Sequence, residues 1–128
     1  MNKRKHNIIY SYTRAQAISD GVLIDVTEQA GETGFKVPVA ISDHLYNGYI
    51  APPAGFEGEG QSVEGRLHDV FMMTHYAAKA RWDGSRVYFD VLFQMGEGPC
   101  FEKVQCVAIV GPGDVGEPVM TICLPEDE

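Results

Sequence analysis

The candidate chemistry starts with charged side chains in one segment, Ser62–Trp82. Arg66 and Asp69 stand three positions apart in this segment, and side chains three apart on a helix are neighbours. The two residues are therefore either a solvated ion pair, which contributes little to stability, or part of a shallow binding site that Tyr76 helps to line. The spacing favours the ion pair and leaves the binding site as the alternative.

Two histidines of the same segment, His68 and His75, point in nearly the same direction around a helix. Seven residues at about 1.5 Å each separate them by roughly 10 Å, too far for both to bind one ion through ligand bonds near 2 Å. The three cysteines, at positions 100, 106 and 123, include no C-x-x-C pair. The sequence therefore predicts solvated histidines, no metal site and no cofactor, and His75 stays a candidate binding residue.

A second group of candidates is Tyr12, Arg14 and Asp114. Tyrosine and arginine are common in binding hot spots, and a helix N-terminus attracts anions, so Tyr12 and Arg14 at a helix start are candidate binding residues. A capped helix whose tyrosine folds over the core explains the same pattern. Asp114 lies in the glycine-rich stretch Gly111–Gly116, which lacks the lysine of a phosphate-binding loop. Asp114 is predicted to form a turn rather than to act as a base. The sequence identifies no catalytic residue.

The element that positions most of these side chains is a helix predicted over Ser62–Trp82. Its apolar residues share one arc at about 100° per residue, and Ser62 suits an N-cap. Apolar residues then alternate from Val87 to Phe93, which predicts a strand. The other predicted elements are helices at Arg14–Asp20, Thr27–Gly34 and from Ser42 to Tyr49, extended segments at Val22–Val26 and Phe35–Val39, a loop at Ala51–Gly60, and strands at Phe101–Val110 and Pro118–Leu124.

This order of elements predicts an α+β fold. Consecutive strands joined by short turns pair antiparallel, so one long amphipathic helix is expected to pack on an antiparallel meander of three or more strands, preceded by short N-terminal helices. Val22–Val26 or Phe35–Val39 can extend the sheet, and Pro38 favours an edge position or a turn for the latter over a central strand. The 128 residues form one domain, 1–128, with flexible tails expected at 1–7 and 125–128.

The composition narrows the classes of partner. A formal net charge of −8 argues against direct nucleic-acid binding, because phosphate contacts need lysine and arginine. No run approaches the roughly 20 apolar residues of a membrane span, so no membrane partner is expected. An odd number of cysteines without pairing motifs suits the cytoplasm. Protein is therefore the predicted partner class, and the oligomeric state is open.

Four motifs together resemble a known family. The chain resembles a family of small uncharacterised bacterial proteins that are often carried on plasmids, phages and other mobile elements. The resemblance implies a bacterial or phage setting in the cytoplasm and assigns no catalytic residue. The motifs are Tyr12-Thr13-Arg14-Ala15-Gln16-Ala17 with Asp20-Gly21-Val22-Leu23, Gly34-Phe35-x-x-Pro38-Val39-Ala40, Gly65-Arg66-Leu67-x-Asp69-Val70, and Gly111-Pro112-Gly113-Asp114 through Leu124-Pro125.

The leading functional hypothesis is an interaction protein of a mobile element, an adaptor or inhibitor that acts on a host nucleic-acid machine through an acidic surface. The alternative is a small enzyme, such as a nuclease or transferase, with a cleft between the long helix and the sheet. That cleft would use Arg14, Arg66, His75 or Thr121. A purely structural, self-associating domain is the third possibility.

Overall fold

A computed structural model describes residues 12–51, 62–95 and 100–128. It is a mixed α+β structure with one long helix and a five-stranded sheet. The predicted tail 1–7 and nearly all of the predicted loop Ala51–Gly60 lie outside the described residues. The elements are α1 (Arg14–Ser19), β1 (Leu23–Asp25), α2 (Thr27–Gly31), β2 (Val39–Ser42), α3 (Asp43–Leu45), a π-helix (Tyr46–Ile50), α4 (Val63–Arg81), β3 (Arg86–Gln94), β4 (Phe101–Pro112), β5 (Pro118–Cys123) and a 3-10 helix (Pro125–Asp127).

The sheet has the strand order β1-β2-β5-β4-β3 and is mixed rather than purely antiparallel. β3, β4 and β5 form the predicted antiparallel meander, but β2 pairs with β5 in parallel. Parallel neighbours need a long crossover between them. Here the segment that contains α4 and the β3–β4 hairpin separates β2 from β5, so the expectation of a simple meander was wrong.

The strand predicted near Pro38 is displaced towards the C-terminus and lies inside the sheet. β2 begins at Val39, and all four of its residues are buried between β1 and β5. Because proline has no N–H to donate, Pro38 precedes the strand, and its carbonyl accepts the N–H of Met120 at 2.9 Å. Of the two alternatives predicted for Phe35–Val39, the edge position was therefore wrong: its first four residues lie outside any strand, and only Val39 belongs to the central strand β2.

The long helix matches its prediction closely. Ser62 caps it by accepting the N–H of Gly65 at 3.0 Å, and the helix ends at Arg81. Leu67, Val70 and Phe71 belong to the same hydrophobic cluster as the inward-facing residues of the strands. On β3 the predicted alternation is confirmed, because Val87, Phe89, Val91 and Phe93 are all buried.

The C-terminal residues contact the body of the chain. Residues 125–128, expected to be a flexible tail, include the 3-10 helix Pro125–Asp127. Asp127 accepts a hydrogen bond from Ser42 at 3.0 Å, and Tyr88 donates its hydroxyl to Glu128 at 2.6 Å. These contacts give the acidic end specific partners that a sequence pattern does not reveal. Among the described residues, no helix is long and apolar enough to cross a membrane.

Candidate functional site

The start of α1 is held by the turn between β4 and β5. The carboxylate of Asp114 accepts the backbone N–H groups of Arg14 at 2.8 Å and Ala15 at 3.1 Å. The side chain of Thr13 caps the next free amide, that of Gln16, at 3.0 Å. The predicted turn residue Asp114 therefore neutralises the helix start that was considered for an external anion, and Tyr12 beside it donates its hydroxyl to Asp20 at 3.1 Å.

Arg14 links α1 to the sheet. Its guanidinium donates to Thr121 Oγ1 and to the carbonyl of Met120, both at 2.8 Å. Partial burial lowers the pKa of Arg14, and nearby carboxylates, including Asp25 and Asp114, offset part of this shift. The structure thus brings Tyr12, Arg14 and Asp114 together, but as a junction that fixes α1 on β5.

We expect Asp114→Ala to lower the free energy of unfolding by about 0.5–2 kcal/mol, the usual cost of losing a helix cap. Asp114→Asn keeps one of the two acceptor oxygens and should lose less. Urea denaturation followed by circular dichroism measures both changes. The control is Val115→Ala in the same turn, where the side chain is 88% exposed; an equal loss in that variant would contradict the role of Asp114.

Arg66 is not the surface residue that its spacing predicted. It is 4% exposed, and its guanidinium donates to the carbonyl of Tyr49 at 2.6 Å and to the carbonyl of Gln94. Burial lowers its pKa, and Asp69 offsets part of that shift. Arg66 therefore ties α4 to the π-helix and to the end of β3, whereas Asp69 lies exposed on the helix.

His75 is also directed inward, contrary to the prediction that it is solvated. Its ring lies 4.2 Å from the ring of Phe35, measured between centroids. Its Nε2 atom is buried and has no hydrogen-bond partner within the part of the chain described. His75 and Arg66 thus take part in packing and do not line an open cleft together with Asp69.

One polar cluster was missed by the sequence reasoning. Nδ1 of His44 lies 2.7 Å from Oδ1 of Asp127, whose other oxygen accepts the hydroxyl of Ser42 at 3.0 Å. The three residues border a cavity of about 420 Å³ that Thr121 also lines. Ser42 donates to Asp127 and not to His44, so the cluster lacks the serine-to-histidine hydrogen bond of a nucleophilic triad. No local motif predicts it, because 83 residues separate His44 from Asp127.

This contact has a defined pH dependence. The hydrogen bond with Asp127 raises the pKa of His44 above 6.5. Partial burial alone raises the pKa of Asp127, but the hydrogen bonds from His44 and Ser42 outweigh it and lower this pKa below 3.8. The stabilisation by His44 is therefore complete below about pH 6.5 and disappears as the pH rises through its folded-state pKa. The stabilisation by Asp127 is present above about pH 4 and disappears as the pH falls through its lowered pKa.

We expect an NMR titration of the His44 ring to give a pKa above 6.5, and Asp127→Asn to return it towards the ordinary value. The exposed His68 serves as the internal control in the same spectra. An unchanged His44 titration in Asp127→Asn would contradict the contact.

Two of the cysteines are unsuited to nucleophilic chemistry. Burial is the main cause that raises the pKa of the Cys106 thiol to about 12 and that of the Cys123 thiol to about 11. Thiols with such values carry almost no thiolate at neutral pH. Within the described ranges, no group of three or more His, Cys, Asp and Glu side chains lies close enough to hold a metal ion.

An apolar groove of about 630 Å³ lies between α4 and β3 and is here called the α4–β3 groove. Met72, Met73 and Tyr76 line it from the helix, and Leu92 lines it from the strand. Tyr76 is 58% exposed and Leu92 is 62% exposed. Large apolar side chains grouped in this way at a surface are typical of a binding site.

Charged residues border the groove on both sides. Asp69 lies on its helix side and Asp90 on its strand side, with Lys103 of β4 nearby. Asp69 was predicted as a binding residue, and Tyr76 was considered with it. The structure places both at this groove, away from the inward-facing Arg66 and His75.

β3 lies at the edge of the described sheet. The backbone N–H and C=O groups of one residue point towards β4, and those of the next residue point towards the open edge. Antiparallel neighbours exchange hydrogen bonds at every second residue. Val110 donates its N–H to the carbonyl of Ser85 at 2.7 Å, so Ser85 faces β4. Because the register continues without a break, the odd-numbered residues of β3 make the hydrogen bonds to β4. The even-numbered residues, which include Asp90 and Leu92, therefore direct their N–H and C=O groups to the open edge beside the groove.

Two arginines of α4 limit the open part of this edge. Arg81 donates to the carbonyl of Tyr88 at 2.7 Å, and Arg66 donates to that of Gln94. Between these positions, nothing in residues 12–51, 62–95 and 100–128 binds the outward backbone groups of Asp90 and Leu92. Within the described ranges, the edge thus presents unpaired donors and acceptors at Asp90 and Leu92, between two occupied carbonyls.

Comparison with known proteins identifies a family without an activity. The model of a family of unknown function, DUF6573, matches residues 2–128. No curated protein and no solved structure matches the chain.

Proposed function

The chain belongs to the DUF6573 family of unknown function, and we propose that it is an interaction protein that binds a partner protein at the α4–β3 groove. We place it in the cytoplasm of a bacterium that carries a mobile element, where it serves as an adaptor or inhibitor of a host nucleic-acid machine. The setting rests on the resemblance of its motifs, and the binding role rests on the groove.

The observation that carries this proposal is the exposure of apolar side chains in one concave surface. Leu92 and Tyr76 leave more than half of their surface in water and line one groove together, whereas other exposed apolar residues, such as Val115, lie outside it. Burying a leucine or an aromatic side chain stabilises by roughly 1.5–3 kcal/mol. Methionine and tyrosine are enriched in protein interfaces, so Met72, Met73 and Tyr76 suit a partner surface.

The enzyme alternative has weaker support. Two of its four residues, Arg66 and His75, pack inside, while Arg14 binds Thr121 at the α1 junction. The observation that favours an enzyme is the contact between His44 and Asp127, since a carboxylate on Nδ1 orients the other imidazole nitrogen as a base. That cluster lies among β2, α3 and the C-terminus, and not in a cleft between α4 and the sheet.

The test compares two matched charge substitutions. Tagged wild-type protein, Leu92→Arg and Val115→Arg are purified from a bacterial lysate with and without nuclease, and the bound proteins are quantified. We expect a stoichiometric protein partner that survives nuclease with wild type and with Val115→Arg. Because Leu92→Arg removes apolar contact and places a long charged side chain in the groove, its capture should fall at least about tenfold, as for an interface hot spot.

Two outcomes contradict the proposal. One is equal capture by Leu92→Arg and Val115→Arg, which would place the partner elsewhere on the chain. The other is the absence of a protein partner or the co-purification of nucleic acid only, which would favour the enzyme and lead to substrate screening with His44→Ala.

A further inference from the structure

We infer that the partner segment is an extended peptide with a basic residue, which adds to the open edge of β3 as a sixth strand. This inference rests on the proposed function and names the chemistry of its ligand. It follows from three features of the α4–β3 groove: backbone groups that no described residue binds, apolar walls on both sides of the edge, and acidic side chains beside it.

The backbone groups select the conformation of the ligand. Asp90 and Leu92 each present one N–H and one C=O outward, in the repeating pattern that an added β-strand pairs with. A helix has no free main-chain groups at this spacing, because its own hydrogen bonds use them. The carbonyls bound by Arg81 and Arg66 lie six residues apart, about 20 Å along a strand. The edge therefore suits a ligand of about six extended residues.

The walls of the groove fit the alternating side chains of such a strand. Successive side chains of a strand point to opposite faces. On one face they meet Met72, Met73 and Tyr76 of α4, and on the other they lie beside Leu92 and Lys103. Both faces of the added strand thus find apolar contact.

The charges favour a basic ligand over a second copy of this chain. The two carboxylates of Asp69 and Asp90 outnumber the one ammonium of Lys103 at the groove, so a lysine or arginine on the ligand gains an opposite charge. A twofold pairing of two β3 edges places the same surface on both sides. It would bring the four carboxylates of two copies together, in chains that each carry a net charge of −8. Self-pairing is therefore the less favourable use of this edge.

The probe is a library of random 12-residue peptides displayed on phage and selected against the tagged full chain. One selected peptide is synthesised, and each of its backbone amides is methylated in turn. We expect the selected sequences to alternate apolar residues and to contain lysine or arginine. Methylation should weaken binding about tenfold at every second position, where the amide meets β3, and have little effect between them.

A pair of variants tests the main-chain pairing from the protein side, through the hydrogen bond that the N–H of Leu92 would donate to a carbonyl of the ligand. The N–H of Leu92 faces away from β4, so Leu92→Pro removes a donor for the ligand without removing a bond of the sheet, as is tolerated at edges. Leu92→Ala removes the same side chain but keeps the N–H. We expect Leu92→Pro to bind the peptide more weakly than Leu92→Ala, with circular dichroism confirming that both are folded.

The outcomes separate this inference from the proposed function. Peptides that tolerate methylation at every position, or that bind as helices, would overturn strand addition while leaving the groove as a protein site. Failure to select any peptide would also overturn it, whether or not Leu92→Arg loses the lysate partner. A dimer in sedimentation equilibrium that Leu92→Pro abolishes would assign the edge to a second copy instead.

Discussion

Phe71→Ala is expected to lower the free energy of unfolding by about 3–5 kcal/mol, the usual cost of removing a buried aromatic side chain. Phe71 is 1% exposed, and its ring meets that of Phe35 edge-on at 5.5 Å between centroids. The cavity left by the ring lies within the cluster shared by α4 and the strands. Small domains have a total stability of about 5–15 kcal/mol, so much of the chain should unfold at low urea concentration.

The matched control for this prediction is Met73→Ala on the same helix. Met73 is 37% exposed and lines the α4–β3 groove, so its loss should change the free energy of unfolding by no more than about 1 kcal/mol. Urea denaturation followed by circular dichroism compares the two. Similar midpoints for Phe71→Ala and Met73→Ala would show that the apolar arc of α4 is not the centre of the core.

The spacing of apolar residues predicted α4 and β3, the two elements in which burial of one side determines the conformation. The arc through Leu67, Val70 and Phe71 defines α4, because only a helix brings these spacings to one face. The alternation from Val87 to Phe93 defines β3 for the same reason with a period of two. In both elements one side is buried, so the register cannot shift without exposing apolar residues.

The same patterns failed for side chains whose burial and hydrogen bonds depend on residues far away in the sequence. Arg66 sits beside the apolar arc of α4 and was predicted to be exposed, but carbonyls of the π-helix and β3 satisfy its donors inside the chain. His44 and Asp127, like Arg14 and Asp114, meet across most of the sequence. Contacts of this kind depend on the strand order, and the parallel pairing of β2 with β5 has no local signature.

The candidate site was therefore predicted only in part. Asp69 was named for its spacing from Arg66, whereas its position at the α4–β3 groove follows from α4 passing along the edge of the sheet. Leu92 and Asp90 fall between the apolar residues whose alternation predicted β3, but the alternation does not show that they border a groove. That required the strand order, which makes β3 the last strand of the described sheet.

Arg66→Ala is the second prediction of large effect, with an expected loss of about 2–4 kcal/mol in the free energy of unfolding. The reason is that truncation removes two hydrogen bonds from a buried charged donor, to the carbonyls of Tyr49 and Gln94, and hydrogen bonds to charged groups contribute about 1.5–3 kcal/mol each. The desolvation cost of the buried guanidinium is absent from this variant, which offsets part of that loss. Urea denaturation again measures the change. The free energy of unfolding of Arg66→Lys should lie between those of wild type and Arg66→Ala, since an ammonium cannot reproduce the planar fork of guanidinium donors.

Arg81→Ala is the control that separates burial from the hydrogen bond itself. Arg81 lies on the same helix and also donates to a carbonyl of β3, that of Tyr88, but it is exposed. Water replaces the lost donor there, so the cost should stay below about 1 kcal/mol. If the two alanine variants lose equal stability, burial does not determine the role of Arg66. If Arg66→Ala loses more, as expected, Arg66 stabilises the fold beneath the edge of β3, while Arg81 mainly limits how much of that edge a partner strand can reach.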